Sequence, residues 1–395
     1  MVTRDAASNS STSFLSLYAT TFVVGVTMIT LGPLLDPILR DLHIVLARGG
    51  LISVGFAVGM LIGVVCLNFV LARVPVKWGL VGAASLQTLG LVASGVAAQG
   101  LWSLMAAYLF VGAGCVLLNS LPGMWITSHI KTGADRAMVT MLIFFALGMM
   151  VTPLAIGAAL GWGATWRSVL LGEAVMSAAL ALLIALSPVA NIQGRENLRP
   201  GKLREVIGFN PRLFVAVLTA SILYIGAEFT FNVWLAKYEI DTFEVDKTTA
   251  GLAVTLFWVG LLIGRLVVIP LTRRLPAARI LMAGAGVWAV FALGVALAVS
   301  VEMSMVMSFC AGLGASAGFP LILSFSARFP RWHAGVVFSS VIMAGALGRI
   351  IFPYLVGPLA ESLGFRTAMG LAFVLAGALS VLSLYLQRVS GPVEG

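Results

Sequence analysis

Residues 50–65 read GLISVGFAVGMLIGVV, and residues 251–266 read GLAVTLFWVGLLIGRL. The second stretch is the first one returned about two hundred residues later. Gly50, Gly59 and Gly63 keep their spacing as Gly251, Gly260 and Gly264, and each copy runs on to an arginine and a proline, Arg73 with Pro75 and Arg274 with Pro276. Further along, Gly112-Ala113-Gly114 recurs as Gly312-Leu313-Gly314, and Gly148, Pro153 and Gly157 recur as Gly348, Pro353 and Gly357. A repeat this long in so apolar a chain specifies two bundles built on one plan. The copies differ where chemistry enters. Thr27, Val64 and Met149 are matched by Glu228, Arg265 and Arg349. Three ionisable groups thus stand in stretches that must cross lipid.

Composition fixes that setting. The chain is 60% hydrophobic and 10% charged, with a mean hydropathy of +1.05. Soluble domains carry about 25% charged residues. The fold class expected is therefore an all-α membrane protein. The formal net charge of +9 comes from cations in the loops between spans, which topology explains, so no nucleic-acid partner is expected. Cys66, Cys115 and Cys310 lie scattered in apolar segments, a pattern that fits neither a disulfide framework nor a metal site. His43, His129 and His333 lie far apart in loops. No nucleophile, phosphate-loop or zinc motif is present, so neither enzyme activity, cofactor nor metal is expected.

Apolar runs of about 20 residues mark helices that span about 30 Å of hydrocarbon. Twelve are read, near 14–39, 47–72, 78–98, 101–125, 137–160, 166–187, 212–236, 249–271, 277–299, 302–327, 335–358 and 364–387. Residues 1–187 form one six-helix bundle and 212–395 the other, related by a parallel repeat. The polar segment 188–211 between them, with Arg195, Glu196, Arg199, Lys202, Arg204 and Glu205, reads as an inter-domain loop with room for an interfacial helix. The polar start, with Arg4 beside Asp5, does not read as a signal peptide. Alternate loops carry Arg73 and Lys77, Lys131 and Arg136, Arg273, Arg274 and Arg279, and Arg328 and Arg331, whereas the segment 237–247 is acidic. The positive-inside rule then puts both termini and the central loop in the cytoplasm, with the chain a monomer in a bacterial inner membrane.

The glycine pairs read as close helix contacts and the prolines Pro153 and Pro353 as kinks. Trp102, Trp162, Trp166 and Trp234 read as interface anchors. Buried charge is different, since ionisable residues in spans usually face an internal cavity. Arg265 lies about 12 Å inside the boundary marked by Arg273, where it can meet a substrate, a helix end or a lipid headgroup. Arg349 sits midway along the eleventh span, and can hold a substrate or pair with Glu228 or Glu173. Glu228 lies on a helical stripe with Ser221, Tyr224, Phe231, Asn232 and Leu235, and is the candidate proton carrier or a salt-bridge partner of Arg349. Asp36, before Pro37, is a weaker coupling candidate or an outer-mouth charge; Glu173 and Glu302 are weaker still. Asn119 can contact substrate or another helix.

Two six-span bundles with parallel repeats and a long central loop resemble the major facilitator superfamily. That resemblance implies alternating access with substrate near midplane. The family's cytoplasmic-loop signature departs here: Leu71-Ala72-Arg73-Val74-Pro75 and Thr272-Arg273-Arg274-Leu275-Pro276 lack the aspartate. Gly148, Thr152-Pro153 and Gly157 only half match the motif of drug antiporters, which disfavours efflux. Cations on the eighth and eleventh spans resemble those of oxalate–formate antiporters, and Arg265 also that of monocarboxylate and nitrate transporters. The nitrate carriers' second arginine is replaced by Val64. Tyr224-Ile225-Gly226-Ala227-Glu228 with Trp234 and Tyr238, and Gly312 through Gly318-Phe319-Pro320, resemble the seventh and tenth spans of sugar–proton symporters. The preferred expectation is a small organic anion held by Arg265 and Arg349, with Tyr224, Asn232 and Asn119 assisting and protons coupled through Glu228. A proton-coupled sugar or neutral-solute symporter is the alternative, and a non-transporting receptor the alternative of another class.

Overall fold

The computed structural model describes residues 2–129, 134–188 and 203–389, with side chains described in 14–67, 73–126, 137–188, 205–330 and 336–389. Arg4, Asp5, Lys131, Arg136, Arg195, Glu196, Arg199, Lys202, Arg204 and Arg331, together with the rings of His129 and His333, lie outside the described side chains.

Among the described residues, eleven helices are long and apolar enough to cross a membrane, and a bent pair, taken as one span, makes the twelfth. The spans are, in order, Val2–Ile29 with Leu31–Asp41; Leu46–Arg73; Val76–Val92 with a π-helical turn Ala93–Ala97; Leu101–His129; Ala134–Gly161; Trp166–Leu186; Pro211–Phe243; Lys247–Leu271; Ala277–Ala296; Val301–Ala315 with Gly318–Ser324; Arg331–Leu363; and Phe365–Val389. A short helix, Leu203–Phe209, precedes the seventh span. The chain divides into two compact units, Met1–Val45 with Leu51–Glu196, and Leu46–Gly50 with Asn197–Gly395.

Local chemistry sets the ends and breaks. Asn210 caps the seventh span by accepting from the Leu213 amide at 3.0 Å, and Pro211 follows at the first helical position, where its missing N–H costs nothing. Asp246 caps the eighth span, accepting from the amides of Thr248 and Thr249 and from the Thr249 hydroxyl. Those bonds hold its carboxyl below the usual carboxylate range. The first span bends by 43° after Ile29. Pro33 explains the place, because a proline cannot donate to the carbonyl four residues back and its ring crowds that carbonyl. The tenth span breaks at Ser316 and Ala317, four residues before Pro320, for the same reason.

The repeat seen in sequence is repeated in packing. In the first unit the first span packs on the fifth, and the third on the fourth and sixth; in the second unit the seventh packs on the eleventh, and the ninth on the tenth and twelfth. Glycines let backbones touch. A Cβ on Gly59 would overlap the Leu109 carbonyl, and one on Gly260 the Phe309 carbonyl. Gly112 meets the carbonyl of Phe56 as Gly312 meets that of Phe257.

Three sequence readings are corrected. Residues 237–243 continue the seventh span rather than opening a loop. Lys237 pairs with Asp241 at 2.6 Å and Ser304 donates to Glu239 at 2.5 Å, so each side chain has a partner within the unit and the helix runs on. Trp234 and Trp166 are buried rather than interfacial. Their indole N–H groups donate to the Pro353 carbonyl at 2.7 Å and to Asp41 at 2.9 Å, which compensates burial of a polar edge.

Gly312→Ala is expected to destabilise the protein by about 1–3 kcal/mol, because the added methyl meets backbone that cannot rotate away. Gly370→Ala, with open space around it, should melt like wild type or slightly higher. Thermal unfolding in detergent checks the pair; equal melting temperatures would contradict the packing.

Candidate substrate and proton site

The seventh span carries the site. Its polar stripe is buried: Ser221, Tyr224, Glu228 and Asn232 are each under one-tenth exposed. Each is tied to a neighbouring span of the same unit. Ser221 donates to the Val341 carbonyl at 2.7 Å. Asn232 accepts from the Trp258 indole at 3.1 Å. Tyr224 donates to the Ala315 carbonyl at 3.1 Å and stands within hydrogen-bond reach of the Glu228 carboxylate. Its ring packs edge-on to Trp288 and alongside Phe319, and leaves no room for a side chain at Gly318.

The break in the tenth span decides where Arg265 goes. Pro320 has no N–H for the Ser316 carbonyl, so that acceptor is left over at the end of a half-helix. Arg265, from the eighth span, donates Nε to it at 3.4 Å. A cation at a helix C-terminus is favourable, and the guanidinium keeps four further N–H donors. Thus the helix-end role open to Arg265 in the sequence is occupied here, without exhausting the group. Arg349, from the eleventh span, lies over the Phe229 ring at 3.7 Å, a cation–π arrangement that adds to its retention away from water. Both guanidiniums lie near enough to the Glu228 carboxylate to attract it. Three spans of one unit therefore bring Glu228, Arg265, Arg349 and Tyr224 near one another.

Other candidates fall elsewhere. Asn232 lies one turn along and is held by Trp258. Asn119 is exposed on the fourth span, in the other unit. Asp36 is buried and bonded to Arg40 at 3.0 Å, an i,i+4 pair that already answers its charge. Among the described residues no three of His, Cys, Asp and Glu come together as metal ligands. Glu239 was missed. It is completely buried, eleven residues or three turns beyond Glu228, and the 3–4 periodicity that revealed the stripe extends to it.

A family model for the Major Facilitator Superfamily matches residues 17–246 and again 217–394. The chain belongs to the major facilitator superfamily. The two matches overlap in the seventh span and together cover residues 17–394, and the superfamily makes the chain an integral membrane transporter. A "Protein TsgA homolog" of Yersinia pseudotuberculosis is 23% identical over 271 residues, covering 67% of each chain. Solved structures share the superfamily fold at low identity. A D-xylose-proton symporter matches with a TM-score of 0.79 and 14% identity over 96% of this chain and 97% of that one. A bacterial homologue of the human lysosomal transporter Spinster, inward-facing and occupied, matches with a TM-score of 0.80 and 15% identity over 96% and 97%.

Removing the carbonyl caps should loosen the tenth-span break. Tyr224→Phe is expected to cost about 0.6–1 kcal/mol, the range of interhelical hydrogen bonds in membranes. Arg265→Ala should cost more and speed amide exchange around residues 316–320. Exchange there at the wild-type rate in both variants would refute the capping.

Proposed function

We propose that this transporter carries a small organic anion together with a proton by alternating access, with Glu228 as the coupling group and Arg265 and Arg349 as the anion ligands. The carrying observation is that buried Glu228 and the half-buried Arg265 and Arg349, on three spans of one bundle, lie near enough to act on one another electrostatically. Arginine stays protonated and offers a planar fork that fits a carboxylate. Two cations and one carboxylate leave the empty site with a net charge of +1. A bound monoanion with a proton on Glu228 leaves it at +1 again. Loading both therefore changes no net charge in a region where uncompensated charge is costly. Loading the anion alone would draw the guanidiniums away from the carboxylate and leave Glu228 poorly answered. The two ligands thus assist each other, and by linkage each raises the affinity for the other. We place both termini in the cytoplasm of a bacterial inner membrane, with the basic loops, and take the monomer as the working unit.

A neutral polar solute such as a sugar is the second reading. Asn232 Nδ2, buried and without a hydrogen-bond partner among the described residues, offers a donor of the kind that sugar hydroxyls accept. The likeness in fold to a D-xylose-proton symporter supports the same alternative.

Two expected outcomes test the assignment in proteoliposomes with a panel of radiolabelled carboxylates and sugars. Arg349→Ala should lose at least tenfold in anion uptake while remaining folded; uptake of an anion at the wild-type rate, or uptake of sugars alone by wild type, would overturn the anion reading. Glu228→Gln should keep exchange of substrate across the membrane and lose accumulation driven by a pH gradient. A Glu228→Gln protein that still concentrates substrate would remove Glu228 from coupling.

A further inference from the structure

The first bundle holds a buried carboxyl of its own, and its surroundings are unlike those of Glu228. Glu173, on the sixth span, is buried. Thr27 of the first span lies 2.5 Å from its Oε1. Gln87 of the third span donates Nε2 to the same Thr27 hydroxyl at 2.9 Å. That hydroxyl also donates to the Val23 carbonyl at 3.0 Å. Tyr108 of the fourth span completes the group; its charge neighbour is Glu173. Four spans thus point polar groups at one place.

The hydrogen inventory of that place is informative. A threonine hydroxyl has one hydrogen and two lone pairs. Gln87 fills one lone pair, and the Val23 carbonyl takes the hydrogen. The contact to Glu173 is then complete only if the carboxyl brings a hydrogen of its own. An ionised Glu173 would have to take the single Thr27 hydrogen away from Val23. Thr30, the other hydroxyl near the carboxyl, gives its hydrogen to the Val26 carbonyl at 2.9 Å. Three buried atoms of the group, Glu173 Oε2, Gln87 Oε1 and Tyr108 Oη, have no hydrogen-bond partner among the described residues. An ionised oxygen among them would be poorly compensated in an apolar medium.

No cation on the surrounding elements is placed to answer a charge here. Among the described residues of the first, fourth and fifth spans that surround or adjoin the site, Tyr18, Tyr108 and Cys115 are titratable and none is charged up to Ile29. Lys77 of the third span donates to the Ser187 carbonyl, fourteen residues or about 21 Å along the helix from Glu173. Arg167 is about 9 Å along the sixth span and is held by the Gly95 and Ala98 carbonyls and by Asp41. Asp36, Arg40 and Asp41 belong to the second half of the bent first span, where Asp36 and Arg40 pair.

The repeat gives the site its meaning. Thr27 is the counterpart of Glu228. The sixth span therefore delivers a carboxyl onto the very position where the second bundle carries Glu228. Each bundle thus has a buried carboxyl at or against this repeated sequence position, supplied from different spans.

We propose that Glu173, with Thr27, Gln87 and Tyr108, forms a second proton-binding site, inside the first bundle and separate from Glu228. The ligand is a single exchangeable proton passing between the carboxyl and water. This does not depend on Glu228 being the coupling group.

The test is infrared difference spectroscopy on the full-length protein in lipid, stepping pH in the absence of substrate. A protonated-carboxyl C=O band that titrates is expected in wild type. Glu173→Gln should delete that band, and Glu228→Gln should leave it. Thr27→Val, which keeps the shape but removes the hydroxyl, should shift the same band; this serves if Glu173→Gln does not fold. Spectra of Glu173→Gln or Thr27→Val identical to wild type would overturn the proposal. So would loss of the band on adding sodium at fixed pH, which would make the site one for a metal cation.

Discussion

A charge buried in a bilayer-spanning bundle must be answered from within the protein, and the second bundle is organised around that requirement. Water cannot reach the middle of a span cheaply, and neither guanidinium can shed its proton. Arg265 is therefore held by a carbonyl that Pro320 leaves without its helical donor, and Arg349 by an aromatic face. Both also act on Glu228. Removing any one of the three leaves the other two less well compensated, so site and scaffold are coupled energetically. Arg265 and Tyr224 also answer carbonyls at the break of the tenth span.

The scaffold makes such a site tolerable by being stiff elsewhere. Gly59, Gly112, Gly260 and Gly312 bring backbones into direct contact, where association in lipid depends on packing rather than on apolar burial. The same contacts appear in both units, which shows that the duplicated plan concerns helix packing first. What differs between the copies is chemistry. Val64 and Met149 fill with hydrocarbon the places that Arg265 and Arg349 fill with charge. In the first bundle the carboxyl arrives instead from Glu173, against Thr27.

Much of this was legible in the sequence because periodicity and composition report packing directly. Span positions followed from apolar run length, and Glu228, Arg265 and Arg349 stood out by their cost. The exceptions have physical reasons. Glu239 and Lys237 looked like loop residues because their charges are visible in sequence, whereas the Ser304 hydroxyl that bonds one and the Asp241 carboxylate that pairs with the other are not recognisable as partners. Trp234 and Trp166 carry the residue type of an interface anchor, yet Pro353 and Asp41 supply acceptors that allow burial. The breaks at Thr30 and Ser316 were written in Pro33 and Pro320. That Arg265 would take up the carbonyl freed by the second required knowing which face of the eighth span meets the tenth.

Central to the account is that anion and proton are taken up together by one site. Binding heats measured by calorimetry on the purified wild-type transporter, in buffers of different ionisation enthalpy, count the protons bound with each anion. Joint loading predicts about one proton taken up per monocarboxylate bound. Saturable binding of that anion with no net proton uptake would contradict it.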